Sequence, residues 1–215
     1  MKVFSLLICL TTLLIQLLAC SSTQPTYSLQ ETEAVTSKKV TLNDAWDILN
    51  ISLLLPSGFE NLDAASEGLS HEDMGLEPEC SEVYVFFSED QPYQLIYHFI
   101  AIIESRIEAA SFDASLDDEA AMELMLIEAI KSGATEEGID FKLPSISISH
   151  PNIGDKALFG TGIIESYGFV YGIDTLWFRI NHVYYFGYSL NWSEDKISLE
   201  SIAKEIEERV NDYSQ

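Results

Sequence analysis

The residue types that can do chemistry are thinly spread in this 215-residue chain. There are four histidines, His71, His98, His150 and His182, and no two have the spacing that puts a pair on one metal ion. The densest group of ligand-type side chains is His71-Glu72-Asp73 with Glu77, Glu79 and Glu82. A Ca²⁺ site needs carboxylates converging on one point, and the spacing here is not that of an EF-hand, so the stretch reads as a solvated acidic loop. No Gly-x-Ser-x-Gly elbow offers a hydrolase nucleophile. Gly160-Thr161-Gly162 lacks the third glycine and the following helix of a phosphate loop, and its small residues suit close packing or a bulge. Asp113, Asp117 and Asp118 sit at a helix junction and read as capping groups. No catalytic residue, metal site or cofactor is expected.

One surface has the composition of a binding site. If Asn181-His182 is a two-residue hairpin loop, Ile180 pairs with Val183 and the two strands each acquire two faces. Leu176, Phe178, Ile180, Val183 and Tyr185 form a core face. The other carries Trp177, Arg179, Tyr184, Phe186 and Tyr188 with Thr175, a candidate binding surface unless a helix covers it. Arg179 is one of few cations and is expected to meet a carboxylate, in the protein or in a ligand.

The cysteines point elsewhere. Met1-Lys2 precedes an apolar run from Val3 to Leu18, which reads as an export signal. It ends in Leu17-Leu18-Ala19-Cys20, which resembles the lipobox of bacterial lipoproteins. The resemblance implies a diacylglyceryl group on the Cys20 sulfur and cleavage between Ala19 and Cys20. Two acyl chains suffice for stable attachment, at about 0.8 kcal/mol per buried CH₂. Cys9 leaves with the signal, so Cys80 is the one thiol left and no intrachain disulfide is expected. Glu77, Glu79 and Glu82 around Cys80 disfavour its thiolate.

Charge narrows the partners. The chain has 35 acidic and 11 basic residues, a formal net charge of −24. That argues against nucleic acid, whose phosphates require Lys and Arg, and against docking on anionic lipid. The expected partner is the membrane, reached through the lipid anchor, with the domain in the cell envelope facing outside the cytoplasm.

The elements that must position these residues are legible in part. Residues 1–19 form the signal, residues 20–39 the lipidated cysteine and a disordered Ser/Thr/Gln/Glu-rich tether, and residues 40–215 one globular domain. Such a tether spans roughly 25 Å on average and about 65 Å fully extended, enough to hold the domain clear of the headgroups.

Thr41-Leu42-Asn43-Asp44 fits a capping box, with Leu42, Ala45, Trp46 and Leu49 on one helical face. Val83 to Phe87 reads as a buried strand. Tyr93 to Ile103 opens as a second strand whose latter half could be helix. Glu104 to Phe112 reads as helix, and Ser115-Leu116-Asp117-Asp118 as the cap of another ending near Ser132. Strands follow at Ala157–Ser166, Gly168–Ile173, Thr175–Ile180 and Val183–Trp192. Ser198 caps a last helix with a stripe of Leu199, Ile202, Ala203, Ile206 and Val210.

The expected fold class is α+β, an antiparallel β-sheet backed by two or three α-helices. From Ile153-Gly154-Asp155 through Phe178-Arg179-Ile180-Asn181 to the last helix, the order loosely resembles small PsbP-like extracytoplasmic lipoprotein domains over about 60 residues. That resemblance implies binding or accessory roles and carries over no catalytic residue. The leading functional reading is a non-catalytic, lipid-anchored binding or interaction module. A structural or assembly accessory of a membrane complex comes second, and a metal-dependent hydrolase at the His71 cluster third.

Overall fold

A computed structural model describes residues 39–62, 81–88, 94–103, 105–124, 126–127, 141–166, 169–192 and 197–214. The expected signal, Cys20, the expected tether before residue 39, Cys80 and the acidic cluster from His71 to Glu79 lie outside the described residues.

Seven strands make one antiparallel sheet: β1 (Phe59–Leu62), β2 (Ser81–Ser88), β3 (Gln94–Ile102), β4 (Phe141–Ser149), β5 (Lys156–Ser166), β6 (Phe169–Ile180) and β7 (Val183–Trp192). Their spatial order is β1-β2-β3-β7-β6-β5-β4. Helices lie on both faces. On one face are α1 (Ala45–Leu49), entered through a 3₁₀ turn at Leu42–Asp44, and the C-terminal α3 (Leu199–Tyr213). On the other are α2 (Arg106–Asp117) and helical residues at 119–124 and 126–127. The architecture is α+β, with the sheet as a middle layer.

Period two in the strands decides what each face buries. Leu176, Phe178, Ile180, Val183 and Tyr185 join Ile96 and Ile100 of β3 in one cluster, closed by Ala45, Ile48 and Leu49 of α1 and the full apolar stripe of α3. Trp177, Tyr184, Phe186 and Tyr188 point the other way and join Tyr97 and Phe99, closed by Phe112 and Leu116 of α2 and by Met122 and Leu126. The expected hairpin forms in the expected register, with Ile180 opposite Val183 and Asn181 in the left-handed region at φ 54°.

Several expectations are corrected. β3 is strand throughout, because it pairs along its length with β2 on one side and β7 on the other. Residues 169–180 are one strand rather than two. Gly172 stays in register with Ile163 and Asn191, so it interrupts neither ladder. Trp46 is not on the buried side of α1; Ile48 takes that place beside Ala45 and Leu49. Ser115 does not open a helix. It lies inside α2 and its hydroxyl donates to the Ser111 carbonyl, while Asp118 accepts from the Ala121 N–H and caps the next turn. The expected strand at Ala157–Ser166 forms, and of close packing or a bulge Gly160 serves the first: it faces Thr175, and a Cβ there would come within 3.0 Å of Leu126, so the strand–helix approach depends on glycine.

Side chains satisfy the helix ends, two of them locally and one from across the fold. Asp44 accepts from both the backbone N–H and the hydroxyl of Thr41, at 2.9 and 2.8 Å. Ser198 accepts from the Ser201 N–H at 3.2 Å. Arg209 of α3 donates through one nitrogen to the carbonyls of Asp47, Ile48 and Asn50, covering the C-terminal end of α1.

Candidate functional site

Trp177, Tyr184, Phe186 and Tyr188 are all buried beneath α2 and the helical residues after it. The aromatic face is therefore core, and reading it as a binding surface is corrected. Its rings pack on one another: Phe112 meets Tyr184 edge-on at 4.6 Å, and Trp177 lies 5.3 Å from Phe186. Aromatic enrichment is the mark of an interface core and of a sheet covered on both faces alike, and here α2 supplies the cover.

Arg179 is the polar member of that face and its partners are internal. Nε and Nη2 donate to the two Asp113 oxygens at 2.8 Å each, a bidentate pair that ties α2 to β6. Nη1 donates to Asp155 at 2.8 Å and to the Asn181 carbonyl at 3.0 Å. The hydrogen bond to Asp113 holds the guanidinium even further above its ordinary range, against the opposing effect of burial. Asp155 also accepts from the Asn181 N–H, and its own N–H donates to the Arg179 carbonyl, both at 2.7 Å. Asp113 is thus an ion-pair partner, not a cap. Lys156 pairs with Asp117 and His150 meets Glu119 at 3.0 Å, so three contacts of this kind pin the helical layer to the sheet.

The opposite face holds an arrangement that sequence reasoning missed. His98 lies between Ile96 and Ile100 on β3, on the side covered by α1 and α3, and is 0% exposed. Tyr84, Phe86 and Tyr185 surround it edge-on, with ring centroids at 6.4, 5.7 and 6.0 Å. Opposite His98 on β7 is Gly187. The Tyr185 ring folds over that glycine, where a Cβ would lie 2.9 Å from the ring carbons. Neither His98 ring nitrogen nor the Tyr185 hydroxyl has a hydrogen-bond partner among the described residues. Burial, and next the nearby Arg209 charge, push the His98 imidazole down to about 3, so it is neutral at physiological pH.

Beyond Gly187 the same face stays polar. Ser189 stands opposite Asp174, and Asp174 stands opposite Thr161, whose hydroxyl donates to its carboxylate at 2.7 Å. Asn191 donates through Nδ2 to the Ser189 hydroxyl at 2.9 Å, and its Oδ1 is buried with no hydrogen-bond partner among the described residues. Asp174, Ser189 and Asn191 are all buried.

A polar tract thus runs from His98 through Gly187 and Ser189 to Asp174 and Asn191, under cover, on strands otherwise lined by Ile, Leu and Phe. Polar groups in such a place cost stability unless they are partnered. Ser189 and Asn191, two residues apart on a strand whose neighbours are aromatic, are the one sequence signal that could have disclosed it. The tract offers an acceptor at the Asn191 Oδ1, and neither Lys nor Arg is among its members, so its chemistry suits hydrogen-bond donors rather than anions.

Neither a protein-family model nor a curated protein sequence matches this chain.

Proposed function

We propose that this chain is a lipid-anchored extracytoplasmic binding module, non-catalytic, held at the membrane through Cys20 and recognising a small donor-rich molecule, hydroxylated or aminated, at the tract of His98, Asp174, Ser189 and Asn191. The binding half of this reading rests on one observation: the buried Asn191 oxygen and His98 nitrogens without partners among the described residues, on one face of the sheet. Natural cores keep such groups where a ligand or ordered water completes them. The non-catalytic half is supported by the state of the candidate groups. His98 titrates far below the range useful to a general base at neutral pH, and Arg179 is committed to Asp113 and Asp155. The tethering half is supported by Leu17-Leu18-Ala19-Cys20 and the apolar run before it.

Thermal denaturation of the lipidated protein against neutral sugars, polyols, amino acids and polyamines tests the binding half. A ligand at one hundred times its Kd raises stability by about 2.7 kcal/mol. The expected result is a raised Tm with one donor-rich class and none with sulfate or phosphate, lost in Asn191→Leu. A flat response across the panel removes this assignment. Cys20→Ala is expected to abolish acyl labelling of the protein; undiminished labelling removes the anchor.

A further inference from the structure

We propose that the segment following the tether's entry, carrying Trp46, Leu53 and Leu54, is a docking face for the surface of an electrically neutral, zwitterionic bilayer. The inference rests on the anchor at Cys20. Three large apolar side chains within nine residues stand out to solvent here: Trp46 is 47% exposed, Leu53 93% and Leu54 42%. Their backbone is held firmly from behind. Arg209 binds the carbonyls of Asp47, Ile48 and Asn50, Asn50 caps Ser52, and Leu55 packs against the core. The Trp46 ring rests against Tyr84 at 5.1 Å and is about half exposed. A rigid loop that projects leucines beside a half-exposed tryptophan matches the headgroup–acyl boundary, where the indole prefers to lie.

The position of this segment identifies the occupant. The chain enters the described fold at Lys39 and Val40, and Trp46 follows within seven residues. Eighteen residues, 21–38, lie between Cys20 and Lys39, so the chain's entry at Lys39 can never be more than about 65 Å from the lipid that holds Cys20. Attachment by a short linker raises the effective concentration of the second contact to about a millimolar. A contact too weak to recruit a free domain is then enough to seat a tethered one.

Charge selects the kind of bilayer. Asp44 and Asp47 stand on either side of Trp46 in the chain, and the whole chain is strongly acidic. Anionic lipid repels it, whereas zwitterionic headgroups leave apolar insertion unopposed.

Tryptophan quenching in reconstituted vesicles tests this. The lipidated full chain is placed in phosphatidylcholine vesicles containing brominated acyl chains, and the difference from Trp46→Phe isolates the Trp46 emission. Trp46 is expected to be quenched, with the docked-to-undocked ratio falling about tenfold in Leu53→Asp. Replacing a third of the lipid by phosphatidylglycerol is expected to relieve the quenching. Leu53 is so exposed that its replacement leaves the fold intact. Protein that floats with the vesicles while Trp46 stays unquenched overturns the docking face alone, and a face made for a protein partner gives that same result. Protein that does not float with the vesicles overturns the anchor and the docking face together.

Discussion

Replacing Arg179 by methionine is expected to cost about 3 kcal/mol of folding stability, the range found when one partner of a largely buried ion pair is removed. For a domain of this size that is a fall in Tm of about 6–12 °C. The loss comes less from the missing attraction than from what remains. Asp113 keeps two carboxylate oxygens facing the sheet with no cation, and Asp155 and the Asn181 carbonyl lose their shared donor. Methionine fills much the same space, so the effect isolates the charge. Arg179→Lys is expected to recover part of it, because an ammonium replaces the charge without the two-pronged geometry. A double-mutant cycle with Asp113→Asn measures the coupling, expected at about 1–3 kcal/mol. A fall smaller than about 0.5 kcal/mol for Arg179→Met would show that the pair is only decorative.

Acid is expected to destabilise the domain through His98. In the unfolded chain this imidazole titrates near its ordinary 6.5, and in the folded domain burial lowers it to about 3. A depressed folded value means that the unfolded state binds the proton first. Stability from this group is therefore complete above pH 6.5 and is lost as the pH falls toward 3. At pH 4.5 the loss is about 2–3 kcal/mol. The groups facing His98 offer no relief, since its neighbours are Tyr84, Phe86, Tyr185 and the Gly187 backbone, and the nearest named charge is the cation of Arg209. His98→Phe keeps an aromatic ring in an aromatic nest and removes both nitrogens. Urea denaturation from pH 7.5 to 4.5 is expected to show a flatter pH dependence in the variant, with stability at pH 7.5 changed by less than about 1.5 kcal/mol. Parallel pH profiles in the two proteins would place the acid sensitivity elsewhere.

These two residues show where sequence reading stops. The 176–186 hairpin was legible to the register, because Asn181-His182 supplies a turn and period two sorts the side chains on either side. The α3 stripe and its Ser198 cap were equally plain. What alternation could not decide was whether the second face of the hairpin meets water or a helix. The aromatic set from Trp177 to Tyr188 satisfies either, and the choice is made by Phe112 and Leu116, over sixty positions away in sequence. Arg179 was expected to have a carboxylate partner, but Asp113 is found only once α2 lies across β6.

Local signals also competed. Ser115 and Asp118 both suit a cap, and the chain uses the second. Gly172 suits a break, and the ladder on both sides overrides it. The polar tract escaped because Asp174, Ser189 and Asn191 sit on two strands, and their proximity exists only after pairing.

The strand order carries one more consequence, for how the chain reaches this state. β1 to β3 form one run of neighbours and β4 to β7 another, each joining strands that are consecutive along the chain. The two runs meet only where β3 pairs with β7, along Leu95–Ile102 and Val183–Leu190. That seam brings together residues about 80 to 95 positions apart, so its closure carries the largest loop entropy of any pairing in the sheet. Each run can assemble from local contacts, and their joining is the slow event. His98 and Gly187 face each other across that seam, and Tyr185 lies against them. His98 is therefore brought beside Asp174, Ser189 and Asn191, which the β6–β7 pairing already holds together, only when that seam closes.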